Sequence, residues 1–220
     1  MKRSKYSQHF LRHQADTLSD RELLTTLLQY CDSAPEETAE KLLNRYGNLA
    51  NLLEAKTSDL RAYTSLNEES LALLCLVTEL RRKYLMIRCR TERFLRDSNA
   101  YAQYLMPYFS GENEEMVYLL CLDEEGKPLS CERVAQGTVD SANISPRLLV
   151  RIALQCGAYA VVLAHNHPSG FFTPSNADIS VSQRLAELLR PLDIRMLDHI
   201  IFSNDIALSL RDSHYCDCFF

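Results

Sequence analysis

A short apolar run, Tyr159-Ala-Val-Val-Leu-Ala164, ends on His165-Asn-His167 and passes through Pro168-Ser-Gly170 into Thr173-Pro174-Ser175, with Asp178 eleven residues beyond His167. So brief and continuous an apolar run reads as a strand buried on both faces, and alternation along a strand sends residues two apart to the same side. His165 and His167 are therefore expected to leave the strand end facing the same way. Proline and glycine supply the turn, Thr173 is expected to N-cap a helix opened by Pro174, and that helix folds back on the strand with Asp178 just inside it. This part of the chain must then be an α/β unit with two imidazoles and a carboxylate gathered at one end.

Two nitrogens and one oxygen suit zinc, and three protein ligands leave the fourth tetrahedral position for water, whose pKa falls to about 7 on the metal. The set reads as a catalytic rather than a structural site. A single histidine is more often a hydrogen-bonded core residue. Two histidines, a serine and an aspartate at fixed offsets arise by chance far less often. Asn166 alternates to the opposite strand face and is expected to tie down the loop.

The remaining chain is organised in two parts. From Ser19 to about Met86 apolar residues recur at three and four, as in Leu23, Leu24, Leu27 and Leu28, then Ala39, Leu42 and Leu43, then Leu71, Leu74, Leu76, Val77 and Leu80. Ser19 to Glu22 has capping-box spacing, Pro35 suits a first helical turn and Gly47 a stop, so several short helices are expected. A charged stretch from Arg90 to Asp97 marks the boundary, giving a helical domain over 1–93 and a second domain over 94–220. In the latter, Ser98 to Phe109 reads as a helix, and Met116 to Leu122 and Leu129 to Ala135 as strands joined by a turn at Asp123 to Lys127. A helix from Pro146 to Gln155, with Leu148, Leu149, Ile152 and Ala153 on one side, stops at Gly157. The helix after Pro174 is expected to carry Leu185, Leu188 and Leu189 inward, and strands follow at Ile194 to Phe202 and Ile206 to Leu210.

Composition narrows the class. A chain of 220 residues, 46% hydrophobic and 24% charged, can bury one good core or a core plus a satellite. No stretch approaches the roughly 18 apolar residues of a membrane span, and the start of the chain runs into no apolar signal core, so the expectation is a cytoplasmic protein without a membrane partner. Six of the eight cysteines, Cys31, Cys75, Cys89, Cys121, Cys131 and Cys156, are spread through apolar or helical stretches and are expected to be reduced core residues, and only Cys216 and Cys218 stand close together. The net charge of -5 gives no overall attraction to nucleic acid. Two basic patches escape that average: Lys2, Arg3, Lys5 and Arg12, and the segment from Arg81 to Arg96, read first as a solvated helix face with a charged linker.

The spacing His165-x-His167, Ser175, Asp178 matches the JAMM motif of the JAB1/MPN metalloprotease fold. With His-Asn-His-Pro-Ser-Gly at 165–170, Gly137-Thr-Val139, Pro146-Arg147 and Asp198-His199, nearly the whole chain resembles the RadC family. The resemblance implies a JAB1/MPN (cytidine-deaminase-like) mixed sheet with flanking helices, preceded by a small all-α domain. It implies one zinc on His165, His167 and Asp178, and hydrolysis of a peptide or isopeptide carbonyl in a peptide or protein substrate whose identity the sequence leaves open. Glu115-Met-Val-Tyr-Leu-Leu-Cys-Leu-Asp123 aligns with the family's general-base segment, making Glu115 the base, with Glu112 and Glu114 as neighbouring competitors. Ser175 would stabilise the oxyanion. His199 reads as structural and stays outside the ligand set. HNH nucleases do not fit, because their motif residues are dispersed through a ββα finger.

RadC-like proteins also have a helix-hairpin-helix whose glycine turn offers backbone amides to a phosphate. Here Thr64-Ser-Leu-Asn-Glu-Glu-Ser70 stands at that place, without glycine and with Glu68 and Glu69 to repel phosphate, so the hairpin is degenerate. Leu148 is a second departure, where the family often has glutamate, but it lies outside the ligand set. Two alternatives stay open: a DNA repair or recombination accessory protein with a weak nucleic-acid contact through Arg81 to Arg96, and a metal-binding interaction module without turnover.

Overall fold

The computed structural model describes residues 18–62, 66–89, 94–137, 144–170, 173–203 and 206–215. Lys2, Arg3, Lys5 and Arg12, the positions Thr64 and Ser65 of the degenerate hairpin, residues 90–93, Thr138, Val139, Cys216 and Cys218 lie outside them. The chain forms two compact units that part between Arg81 and Arg82.

The first unit is helical for reasons local to the sequence. Helix α1 (Asp20–Leu28) starts in a reciprocal capping box, with the Ser19 hydroxyl accepting from the Glu22 N–H and the Glu22 carboxylate accepting from the Ser19 N–H. Pro35 opens α2 (Pro35–Tyr46), and Gly47, at φ 85, ends it. Two short helices, α3 (Leu49–Leu53) and α4 (Thr57–Arg61), precede the long α5 (Glu68–Cys89). Leu24, Leu28, Ala39, Leu42, Leu52 and Leu74 form the core, each leucine contributing about 1.5–3 kcal/mol of apolar burial. Leu76 and Leu80, periodic with these residues in the sequence, are exposed on α5.

The second unit is a three-layer α/β arrangement. Its sheet has five strands in the order β2-β1-β3-β4-β5: β1 (Met116–Leu122), β2 (Pro128–Gln136), β3 (Ala160–Asn166), β4 (Arg195–Ser203) and β5 (Ile206–Ser209). All neighbours are antiparallel except β3 and β4. Helix α6 (Ser98–Phe109) packs Tyr101, Leu105 and Phe109 against the face that carries Tyr118, Leu120, Val162 and Phe202. Helices α7 (Pro146–Gln155) and α8 (Asn176–Leu189) cover the opposite face, where Val117, Leu119, Val161 and Leu163 point. With both faces covered, β1 and β3 are buried along their whole length, which is why each reads as a continuous apolar run.

Three local features bear on the site. The β1–β2 turn is closed by Asp123, whose carboxylate accepts from the N–H groups of Glu125 and Lys127. Gly126 lies in that turn at φ 87, and a Cβ there would stand 2.5 Å from the Leu95 carbonyl oxygen, so only glycine fits. Register shifts at Leu197, where Val161 pairs with Met196 and Val162 with Asp198. That extra residue in β4 inverts the alternation beyond it. Met196 and His199 therefore share the α8 side, and Asp198 turns to the α6 side. Leu188, expected inward, is 41% exposed, whereas Leu185 and Leu189 are fully buried, because the face of α8 toward the sheet is set by 178, 181, 182, 185, 186 and 189. Among the described residues no helix is long and apolar enough to cross a membrane.

Candidate metal centre

Strand β3 delivers His165 on the α8 side of the sheet, in phase with Val161 and Leu163, and the chain leaves the strand at His167. The two imidazoles converge, with Nε2 to Nε2 at 2.8 Å. Asp178, in the first turn of α8, reaches both: its Oδ1 is 3.3 Å from His165 Nε2 and its Oδ2 is 3.7 Å from His167 Nε2. His165 and Asp178 are each 3% exposed, so the donors meet away from bulk water.

Strand pairing brings in the fourth group. Val117 pairs with His165 at the end of the β1–β3 ladder, and Glu115 lies just before β1 at that same end. The donor atoms of Glu115, His165 and His167 all lie within 4.8 Å of one another. The neighbouring acids are engaged elsewhere: Glu112 pairs with Arg82 at 3.5 Å, and Glu114 accepts from Gln136 Nε2 at 3.1 Å. Asn166 takes no place among the donors. Its Oδ1 accepts from the Met116 N–H at 2.7 Å and its Nδ2 donates to the Glu114 carbonyl at 3.0 Å.

Ser175 stands where the N-cap was expected at Thr173. The helix begins two residues later than proline suggested, because Ser175 and Asp178 complete a reciprocal capping box. The Asp178 N–H donates to Ser175 Oγ at 3.1 Å, and the Ser175 N–H and hydroxyl donate to Asp178 Oδ2 at 2.8 and 2.7 Å. One carboxylate oxygen is thus fixed by the cap while the other faces His165.

The electrostatics of His165 and Asp178 agree with two donors that are unprotonated at neutral pH. Burial pushes His165 down to about 4, with Asp178 opposing that shift and His167 adding to it. Burial alone would raise Asp178, but hydrogen bonds from His167 and Ser175 and the neighbouring His165 outweigh it and hold the carboxyl well below the usual range. Nitrogen and oxygen donors of this kind fit a divalent cation. On a tetrahedral zinc two donors at about 2.0–2.1 Å from the metal stand ~3.4 Å apart. The His165–Asp178 separation matches that, and the imidazole pair is closer, at hydrogen-bond length.

His199, which reads as structural in the sequence, places its Nε2 2.8 Å from His165 Nδ1. The Asp198-His199 pair was the available signal, but which of the two faces the site depends on the β4 bulge. The basic segment yields no comparable cluster among its described residues, and Arg82 there is paired with Glu112.

Comparison with known proteins agrees with this architecture. Residues 95–215 match the family described as RadC-like JAB domain, and a five-stranded mixed sheet flanked by helices is the fold such a domain requires. A UPF0758 protein of Azotobacter vinelandii is 36% identical over 207 residues, covering 93% of this chain and 92% of its own length. UPF0758 proteins of Stutzerimonas stutzeri and Pseudoalteromonas translucida are 36% and 34% identical, each over 90% of this chain and 89% of their own. With a domain match over the whole second unit's sheet and relatives aligned nearly end to end, the chain belongs to the RadC family.

Proposed function

We propose that this protein is a metal-dependent hydrolase of peptide or isopeptide bonds, with zinc held by His165, His167 and Asp178. The observation that carries the reading is the convergence of Glu115, His165 and His167 within 4.8 Å, beside an Asp178 oxygen 3.3 Å from His165. A bound zinc supplies a Lewis acid that polarises a carbonyl and lowers the pKa of water to about 7.

The chain's own residues do the rest. Glu115, whose carbonyl accepts from the Gly137 N–H at 3.0 Å, accepts the proton of the attacking water and returns it to the departing amine. His165 and His167 stay neutral as ligands, and the capped Asp178 keeps one oxygen directed at them. Ser175 donates to the developing oxyanion, which requires its hydroxyl to turn from Asp178 Oδ2.

A peptide partner is favoured over nucleic acid by the start of α5. There the Ser70 N–H is capped by Asn67 Oδ1 at 2.7 Å, and exposed Glu68 and Glu69 occupy the first turn. Acids at a helix start oppose a phosphate.

The test incubates zinc-loaded protein with peptide and isopeptide-linked libraries. Cleavage is expected from wild type and lost in Glu115→Gln while the zinc content stays stoichiometric. Zinc loading without cleavage of any library would leave a binding module and remove the hydrolase reading.

A further inference from the structure

Behind His165 runs a chain of side-chain hydrogen bonds whose direction can be read from chemistry alone. At its far end the Ser182 hydroxyl lies 2.7 Å from the Asp178 carbonyl oxygen, an atom that only accepts, so Ser182 donates there. Its single proton is then spent, and its contact with His199 Nδ1 at 2.6 Å requires that nitrogen to be the donor. A neutral His199 protonated at Nδ1 carries its lone pair on Nε2. That lone pair faces His165 Nδ1 at 2.8 Å, which must in turn carry the proton. His165 is left with its lone pair on Nε2, the atom that faces His167 and Asp178.

We propose that His199 is a positioning residue for His165, fixing with Ser182 the imidazole tautomer that presents Nε2 to the cation. The inference rests on the metal site proposed above, and it adds a function for two residues outside the ligand set. An imidazole ligand that donates its other N–H to a fixed acceptor is oriented and made more basic. Here the relay also returns to the helix that carries Asp178, so ligands from β3 and α8 are linked through β4. Both relay residues are sealed from water, His199 at 1% and Ser182 at 0% exposure. Desolvation of a ring sealed in this way disfavours its charged form.

The placement of His199 is built into the strand. The β4 bulge at Leu197 turns it toward α8, and the Asp198 carboxylate locks the turn by accepting from the His199 N–H, Ser98 and Ser209 at 2.7, 2.8 and 2.7 Å. A histidine serving only as core filler needs neither acceptor alignment with His165 nor a return bond to the Asp178 turn.

Zinc affinity measured by competition with a chromogenic chelator tests this for wild type, His199→Gln and His199→Leu. Leucine should weaken binding roughly 10–100-fold, whereas glutamine, whose oxygen can accept from His165 and whose amide can donate to Ser182, should stay within about threefold of wild type. Equal affinity in the leucine variant would overturn the proposal while leaving the metal site standing; absence of zinc from wild type would overturn the site itself. Nitrogen-15 NMR of the metal-free wild type decides the tautomer independently, including where a variant fails to fold: a proton on His165 Nδ1 supports the relay, and a proton on Nε2 alone refutes it.

Discussion

Asn166 clasps the backbone on both sides of Glu115, accepting from the Met116 N–H and donating to the Glu114 carbonyl. The middle residue of the His-Asn-His tripeptide therefore acts on the neighbouring strand, while the residues beside it supply donors to the centre. Asn166→Ala would leave an amide and a carbonyl without that partner, a cost of about 1–3 kcal/mol for a buried unpaired group. Zinc content should be retained and the cleavage rate should drop by more than the fraction unfolded explains. A variant cleaving at the wild-type rate would show that Glu115 needs no such clasp.

Removal of single ligands checks the donor set directly. His165→Ala and Asp178→Ala are expected to lose stoichiometric zinc in dialysed, metal-analysed samples, since each deletes one of the three proposed protein donors. Full occupancy in both variants would mean that the cation is held elsewhere.

The position of the helix cap gives a stability prediction. Ser175→Ala deletes an N-cap and should cost about 1 kcal/mol in urea unfolding, with Ser175→Thr recovering most of it. Thr173→Ala, at the residue the sequence suggested as the cap, should change stability by less than about 0.5 kcal/mol. The reverse order would place the cap back at Thr173.

Metal-free protein should lose stability as the pH falls. An unfolded histidine takes a proton near its ordinary 6.5, whereas folded His165 resists until about 4, so the unfolded state binds more protons in that window. His165 thus contributes stability that is complete above the window and lost progressively down to about 4. Asp198, pushed up by its burial, works in the opposite sense as acid is added. His165→Gln keeps Asp198 and the buried His199 and removes the His165 share, so its urea midpoint should fall less between pH 7 and pH 5 than that of wild type. Parallel slopes would contradict the buried neutral His165.

Much of this was legible in the residues because it is local. The apolar run 160–164, the turn residues after His167 and the offset to Asp178 specify strand, loop and returning helix within a stretch where chain connectivity leaves little choice. The α1 capping box, Pro35, Gly47 and the Asp123 turn were equally readable, since each is a bond between residues a few positions apart. At 175 two local rules competed. Proline favoured an earlier start, and the reciprocal Ser175–Asp178 bonds, which satisfy the first-turn amides, prevailed.

What tertiary structure alone decided is phase and register. Periodicity says that side chains alternate, but it does not say which strand lies alongside or where a residue is inserted. The pairing of Val117 with His165 selected Glu115 over Glu112 and Glu114, and packing of α8 on the sheet left Leu188 outside while burying Leu185 and Leu189. One bulged residue in β4 turned His199 toward His165 and Asp198 away from it. The sequence determined which donors the chain owns and that three of them gather at one strand end. Hydrogen-bond register between segments far apart in the chain determined which further residues meet them, because that register is a property of the folded sheet and has no local signature.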